Sequence, residues 1–181
     1  MKILLFGVTN VGKTTIGKML SKELDYDYDD LDDEIKRRYK KIDSFQEEYP
    51  NHYDRHRKRA EILLDIVNKY QDNVVIAVSP IYYEEFLINV LEQHNILAIE
   101  LQDSPESILK RLVYADENDN IYPLEIKTKA ERNYYLKDIK ADIRYCKNIY
   151  KKIEEKFNMQ NEQPEDVTKR LVEYLKMKYK I

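Results

Sequence analysis

Gly7-Val8-Thr9-Asn10-Val11-Gly12-Lys13-Thr14 decides the reading of this chain. Before it, Lys2 to Phe6 is a short apolar run of the kind a buried strand makes. After it, Lys13 to Leu24 carries Ile16, Met19, Leu20 and Leu24 at helical spacing. A loop between strand and helix with glycine at both ends lets successive backbone N–H groups close around an anion. A lysine then adds positive charge, and a Ser or Thr hydroxyl beside it suits Mg²⁺. Gly7, Gly12, Lys13 and Thr14 fill those four places, and Thr15 follows in the first helical turn. The pattern predicts that Gly7 to Thr15 cradles the phosphates of a nucleoside triphosphate, ATP with Mg²⁺. The strand before and the helix after separate it from an ordinary glycine turn.

Composition narrows what surrounds this loop. At 181 residues, 43% of them hydrophobic, the chain suits one compact domain, 1–181. Its 31 Lys and Arg against 34 Asp and Glu give a net charge of −3, without the basic excess that draws proteins to nucleic acid. The single cysteine, Cys146, has no partner for an internal disulfide. No apolar run approaches the ~18 residues of a membrane span, and no extended apolar leader precedes the first strand. The expected setting is therefore cytoplasmic, without membrane or nucleic-acid partners, as monomer or homodimer. All three glycines, Gly7, Gly12 and Gly17, lie at the start of the chain, which excludes any glycine-dependent motif further on.

Strands and helices alternate through the rest. A short strand is expected at Tyr26 to Tyr28 and a polar helix from Leu31 to Tyr39. Arg55 to Tyr70 sets Leu63, Ile66, Val67 and Tyr70 on one helical face and leads into Val74-Val75-Ile76-Ala77-Val78, an unbroken run suited to a central parallel strand. A helix near Tyr83 to Gln93 precedes a strand at Ile96 to Leu101. Ser104 then caps a helix that has Pro105 at its first position. From Ala130 to Lys156 the apolar residues recur at three and four, predicting one long helix. Phe157 to Gln160 reads as a last strand and Pro164 as the start of the final helix. The polar stretch 115–128, with Pro123, reads as a lid. The expected fold is three-layer α/β, a central parallel sheet with helices on both faces.

The class of phosphate-loop protein can be narrowed further. Translation-type GTPases require an Asp-x-x-Gly switch, and no glycine exists beyond Gly17; their guanine-reading Asn-Lys-x-Asp is also missing, since Asn68-Lys69-Tyr70 is followed by Gln71. Motor-type ATPases need more chain than this. An acidic cluster, Asp25, Asp27, Asp29, Asp30, Asp32 and Asp33, follows the first helix. As a whole it reads as a solvated helix N-terminus. Within it, Asp30-Leu31-Asp32 can order a metal's water shell and orient an acceptor hydroxyl.

Gly-x-x-x-x-Gly-Lys-Thr-Thr-Ile-Gly-Lys, followed by Asp30-Leu31-Asp32-Asp33-Glu34-Ile35, resembles the shikimate kinase family of small-molecule kinases. The resemblance is close over residues 1–38 and continues more weakly through Val75-Ile76-Ala77, Pro105 to Arg111 and Glu131-Arg132-Asn133. It implies Asp30 near Mg²⁺ with Thr14, Asp32 on the acceptor hydroxyl, Arg111 flanking the adenine and Arg132 pairing with an anionic substrate group. Lys58, three residues before Glu61, stands where the family has a substrate-binding arginine. The family's Gly-Gly-Gly run against the substrate ring is here Ser79-Pro80-Ile81. Its lid arginine before Pro-Leu is here Tyr122, leaving Lys127, Lys129, Arg55 or Arg57 as substitutes for the cation on the transferring phosphate.

Plainer readings stand beside these. Arg132 suits a surface ion pair, and the run Arg55 to Arg59 suits a solvated helix face. His52, His56 and His94 have no metal-ligand spacing with Cys146, which reads as core. The expected activity is ATP-dependent phosphoryl transfer, by Lys13 and Asp32, to a hydroxyl of a small anionic or polyhydroxylated metabolite. A nucleoside or nucleotide kinase and a catalytically degenerate nucleotide-binding regulatory module are the alternatives.

Overall fold

The computed structural model describes residues 1–115 and 121–181. Five parallel strands form the central sheet: β1 (Lys2–Phe6), β2 (Asp27–Asp30), β3 (Val74–Ala77), β4 (Ile96–Gln102) and β7 (Glu155–Asn158), in the order β2-β3-β1-β4-β7. Between and after them run α1 (Lys13–Leu24), α2 (Leu31–Tyr39), α3 (Ile42–Glu48), α4 (His52–Lys69), α5 (Glu84–Leu91), α6 (Pro105–Lys110), α7 (Lys129–Ile149) and α8 (Pro164–Tyr179). A small antiparallel pair, β5 (Val113–Ala115) and β6 (Ile121–Pro123), stands apart from the sheet.

Ile3, Leu4, Leu5 and Phe6 are each 0% exposed, as are Val74, Val75 and Ile76. Successive residues of a strand point to opposite faces, so complete burial means that both faces are covered. Each such side chain contributes about 1.5–3 kcal/mol of apolar burial. The register Leu5 to Ala77 on one side and Leu5 to Ile99 on the other places β1 centrally. The strand order reverses around it, and in open parallel sheets that is where ligands bind, beyond the carboxyl ends of the strands.

The α/β reading and most of its elements hold. The strands expected at Tyr26 to Tyr28 and Phe157 to Gln160 fall at Asp27–Asp30 and Glu155–Asn158, the β5–β6 pair is not among the expected strands, and two helices differ. α7 stops at Ile149, before a 3₁₀ turn at Tyr150–Lys152, although the apolar spacing continues to Ile153. Tyr150 is 0% exposed against the ring of Phe6, 5.7 Å away, and Lys156 Nζ donates to its carbonyl, so the chain tightens and turns back towards β7. The other is α3, a two-turn helix seated by Phe45 between Tyr39 and Tyr49, at 5.0 and 5.3 Å between ring centroids. Ile42 and Phe45 are its only apolar residues, too few to give a period to read.

Of the expected lid at 115–128, residues 116–120 lie outside the described residues. Thr128 begins α7 with a capping box: its hydroxyl accepts from Glu131 N–H at 3.1 Å while the Glu131 carboxylate accepts from Thr128 N–H at 3.0 Å.

Candidate active site

The phosphate loop leaves β1 at Gly7, where φ is +141° and a Cβ would stand 2.6 Å from the carbonyl oxygen of Leu101. Only glycine fits so close to β4. Lys13 Nζ folds back to donate to the carbonyls of Gly7 at 3.0 Å and Val8 at 2.9 Å, which shapes the loop around its own lysine. Val11 is 0% exposed and anchors the loop in the core, and its N–H donates to the Val8 carbonyl at 3.3 Å. Burial pulls the Lys13 ammonium down to about 8, although Asp32 and Asp30 favour its charged form. A polyanion arriving at the loop relieves that imbalance.

β2 carries the carboxylates to the same place. Asp30 caps α2 by accepting from Asp32 N–H on Oδ1 at 2.9 Å, and its Oδ2 accepts from the hydroxyls of Thr14 at 2.9 Å and Tyr28 at 3.0 Å. Burial first, and then the charges of Asp32 and Asp33, raises the Asp30 pKa, while the Thr14 bond opposes the rise. A cation here would oppose that rise and favour the carboxylate. The donors are oxygens only, and among the described residues no group of three or more His, Cys, Asp and Glu could hold a metal. That set fits Mg²⁺, which is held by one or two protein oxygens together with water and phosphate.

A cavity of about 550 Å³ opens over this loop, and Lys13, Thr14, Asp30, Asp32 and Arg111 are in its wall. A second cavity of about 250 Å³ adjoins it, lined by Arg55, His56, Arg59 and Tyr82 among others. Thr9, Asp32, Ser79 and Pro80 line both. At this seam Arg59 Nη1 donates to Asp32 Oδ1 at 3.0 Å and to Ser79 Oγ at 2.5 Å. Arg59 is 12% exposed in its side chain, lies over the ring of Phe45 and keeps a buried Nε without a hydrogen-bond partner.

Two expected substrate residues stand elsewhere. Lys58 turns outward to Glu61 at 3.0 Å, and Arg59 takes the inward place. Arg132 is exposed in the first turn of α7 and is not among the described residues lining either cavity. Arg59 carried a signal in its spacing. His52, His56 and Arg59 continue, one turn at a time, the face on which Leu63 and Ile66 are buried, whereas Lys58 is rotated by one residue from it. Of the other cations considered for the missing lid arginine, Arg57 pairs with Asp54 at 3.1 Å, and Arg55 is held by the carbonyls of Tyr49 and Pro50 at the cavity wall.

The five-stranded parallel sheet with its helices agrees with the comparisons. The family model described as "Shikimate kinase" matches residues 9–176. The chain belongs to the shikimate kinase family. A shikimate kinase of Caldicellulosiruptor saccharolyticus is 31% identical over 123 residues, 67% of each chain. The crystal structure of the Aquifex aeolicus vf5 shikimate kinase superposes with a TM-score of 0.69 at 25% identity, covering 97% of this chain and 96% of that one. For the Bacteroides thetaiotaomicron enzyme the TM-score is 0.74 at 23% identity, over 97% and 98%, a likeness of fold. As a member of the shikimate kinase family the chain is an ATP- and Mg²⁺-dependent kinase that phosphorylates a hydroxyl of a small metabolite. No helix among the described residues is long and apolar enough to cross a membrane.

Proposed function

We propose that this kinase phosphorylates a small anionic, polyhydroxylated acceptor bound in the cavity beside Arg59, with Asp32 at the accepting hydroxyl. The observation that carries the reading is the Arg59–Asp32–Ser79 contact at the seam of the two cavities. It sets one carboxylate between the phosphate side and the acceptor side, with a largely buried guanidinium behind it.

ATP with Mg²⁺ supplies the γ-phosphoryl group and the charge neutralisation that lets it leave ADP. Gly7 to Thr15 would hold the phosphates by backbone N–H groups, and Thr14 and Asp30 would hold the metal with water and phosphate oxygens. Lys13 places its ammonium against the phosphate charge. Asp32 accepts a hydrogen bond from the acceptor O–H and takes its proton as the new O–P bond forms. Arg59 and Arg55 favour an anionic group on the acceptor, because Asp32 is the one carboxylate among the described residues lining the smaller cavity. Arg111, in the wall of the larger cavity, flanks the nucleotide.

Shikimate, the acceptor in the family's name, has the anion and hydroxyls this reading requires. A second reading, a different acid of similar size, is favoured by Ser79 and Pro80, whose side chains stand at the seam. ADP release measured with Mg-ATP and shikimate, then with a panel of hydroxy acids, sugar acids, neutral sugars and nucleosides, tests the proposal. Stimulation by anionic hydroxylated acceptors supports it. Stimulation confined to neutral nucleosides or sugars contradicts it.

A further inference from the structure

Asp103 ends the strand-to-helix turn after β4, one residue before the α6 cap Ser104. Its side chain is 1% exposed, and its oxygens are fully engaged. Oδ2 accepts from Arg111 Nη2 at 2.7 Å, and Oδ1 accepts from the backbone N–H of Ser104 at 2.8 Å and of Asn161 at 3.2 Å. The last bond crosses from one loop to another. Gln160 and Asn161 both hold φ at 57°, two successive left-handed residues in a loop with no glycine. Side chains stand in for the missing conformational freedom: Asn158 Oδ1 accepts from Gln160 N–H at 2.8 Å, and Ser107 Oγ donates to Asn161 Oδ1 at 2.7 Å. Met159 of this loop reaches the phosphate loop, its Cε 3.5 Å from where a Cβ on Gly12 would stand.

Arg111 is the other end of the arrangement. It follows the last turn of α6, its guanidinium is held by Asp103 on one nitrogen, and its buried Nε has no hydrogen-bond partner. One buried carboxylate therefore ties together a cation in the wall of the nucleotide cavity and the loop that abuts the phosphate loop from the β7 side.

We propose that Asp103 is a positioning residue for nucleotide binding, acting through Arg111. The inference rests on the reading that Arg111 flanks the nucleotide. Without the carboxylate the guanidinium is free to turn from its place, so the nucleotide loses affinity while the transfer step at Asp32 is unaffected.

Equilibrium binding of a fluorescent N-methylanthraniloyl ATP tests this in the full chain. Asp103→Asn keeps an oxygen for the two backbone donors and removes the charge opposite Arg111. The expected result is a Kd raised about tenfold, with kcat at saturating ATP unchanged within about twofold, so that the effect falls on the nucleotide KM. In an Arg111→Ala background the same substitution should change Kd no further, which is the signature of action through that arginine. Asp103→Glu, which keeps the charge, should recover part of the affinity and serves also where Asp103→Asn does not fold. Equal losses in both backgrounds mean a merely structural Asp103 and overturn the proposal, as does an unchanged Kd in Asp103→Asn or no recovery in Asp103→Glu. An unchanged Kd in Arg111→Ala overturns the reading of Arg111 and the proposal with it, and that outcome is distinguishable from the others.

Discussion

Thr14 Oγ1 donates a 2.9 Å hydrogen bond to Asp30 Oδ2, joining the first turn of α1 to the end of β2. The pair is built by backbone placement: α1 starts at Lys13, and β2 ends where Asp30 caps α2. Two oxygens from distant parts of the chain thereby face one cavity. If they hold Mg²⁺ with the nucleotide, Thr14→Ala should raise the Mg²⁺ concentration for half-maximal activity by about tenfold, while nucleotide binding without metal changes little. Titration of activity with Mg²⁺ at fixed ATP checks this; an unchanged half-maximal concentration removes Thr14 from the metal.

Asp32 touches Arg59 and lines both cavities, but it does not touch the Thr14–Asp30 pair through its side-chain oxygens. Asp32→Asn should therefore leave ATP affinity unchanged and lower the transfer rate by about 10²–10⁴-fold. Binding of ATP and acceptor-dependent ADP release, measured on the same preparation, separate the two effects.

Adjacent cations on α4 should behave differently. Arg59 has a 12% exposed side chain at the cavity seam, whereas Lys58 forms an exposed pair with Glu61. Arg59→Ala should raise the acceptor KM by tenfold or more, about 1.4 kcal/mol or above, because the anionic acceptor loses a largely desolvated cation. Lys58→Ala should stay within about 0.5 kcal/mol of wild type in stability and leave the acceptor KM unchanged. Equal effects at the two positions contradict the assignment.

His56 supplies a test that needs no ligand. It is 5% exposed, and burial, followed by the nearby charges of His52, Arg59 and Arg55, pulls its pKa from 6.5 down to about 3. The folded protein keeps it neutral while the unfolded chain protonates near pH 6.5, so the unfolded state gains protons first. Stability contributed by this group is whole above pH 6.5 and is lost as pH falls towards 3, by up to about 1.4 kcal/mol per pH unit. Between pH 7 and 5, wild type should lose more thermal stability than His56→Gln. A parallel decline in the two proteins refutes the account of His56.

Much of this molecule could be read before the structure, for physical reasons that differ by element. The phosphate loop announces itself because glycine, lysine and threonine have fixed duties there, and Val74 to Ala77 because a strand covered on both faces is apolar throughout. Asp30 and Asp32 stood out from an acidic run of six through the family resemblance, and the structure sets both in the wall of the cavity over the loop. Arg59 was obscured by a run of five basic residues, Arg55 to Arg59, in which composition carries no direction and the face shared with Leu63 does. The end of α7 was obscured because Ile153 keeps the helical spacing although the chain has already turned at Tyr150. Asp103 gave no signal at all: its importance lies in contacts to Arg111 and Asn161, which only the packing of separate loops creates.

The most direct test of the central claim is ADP release from Mg-ATP by wild type and Asp32→Asn, with and without small hydroxylated acids beginning with shikimate. Wild type should respond to an anionic acceptor, and Asp32→Asn should not respond although it binds ATP equally well. No stimulation of wild type by any acceptor, or a full response from Asp32→Asn, would contradict the assignment of Asp32 and of the adjoining cavity to phosphoryl transfer.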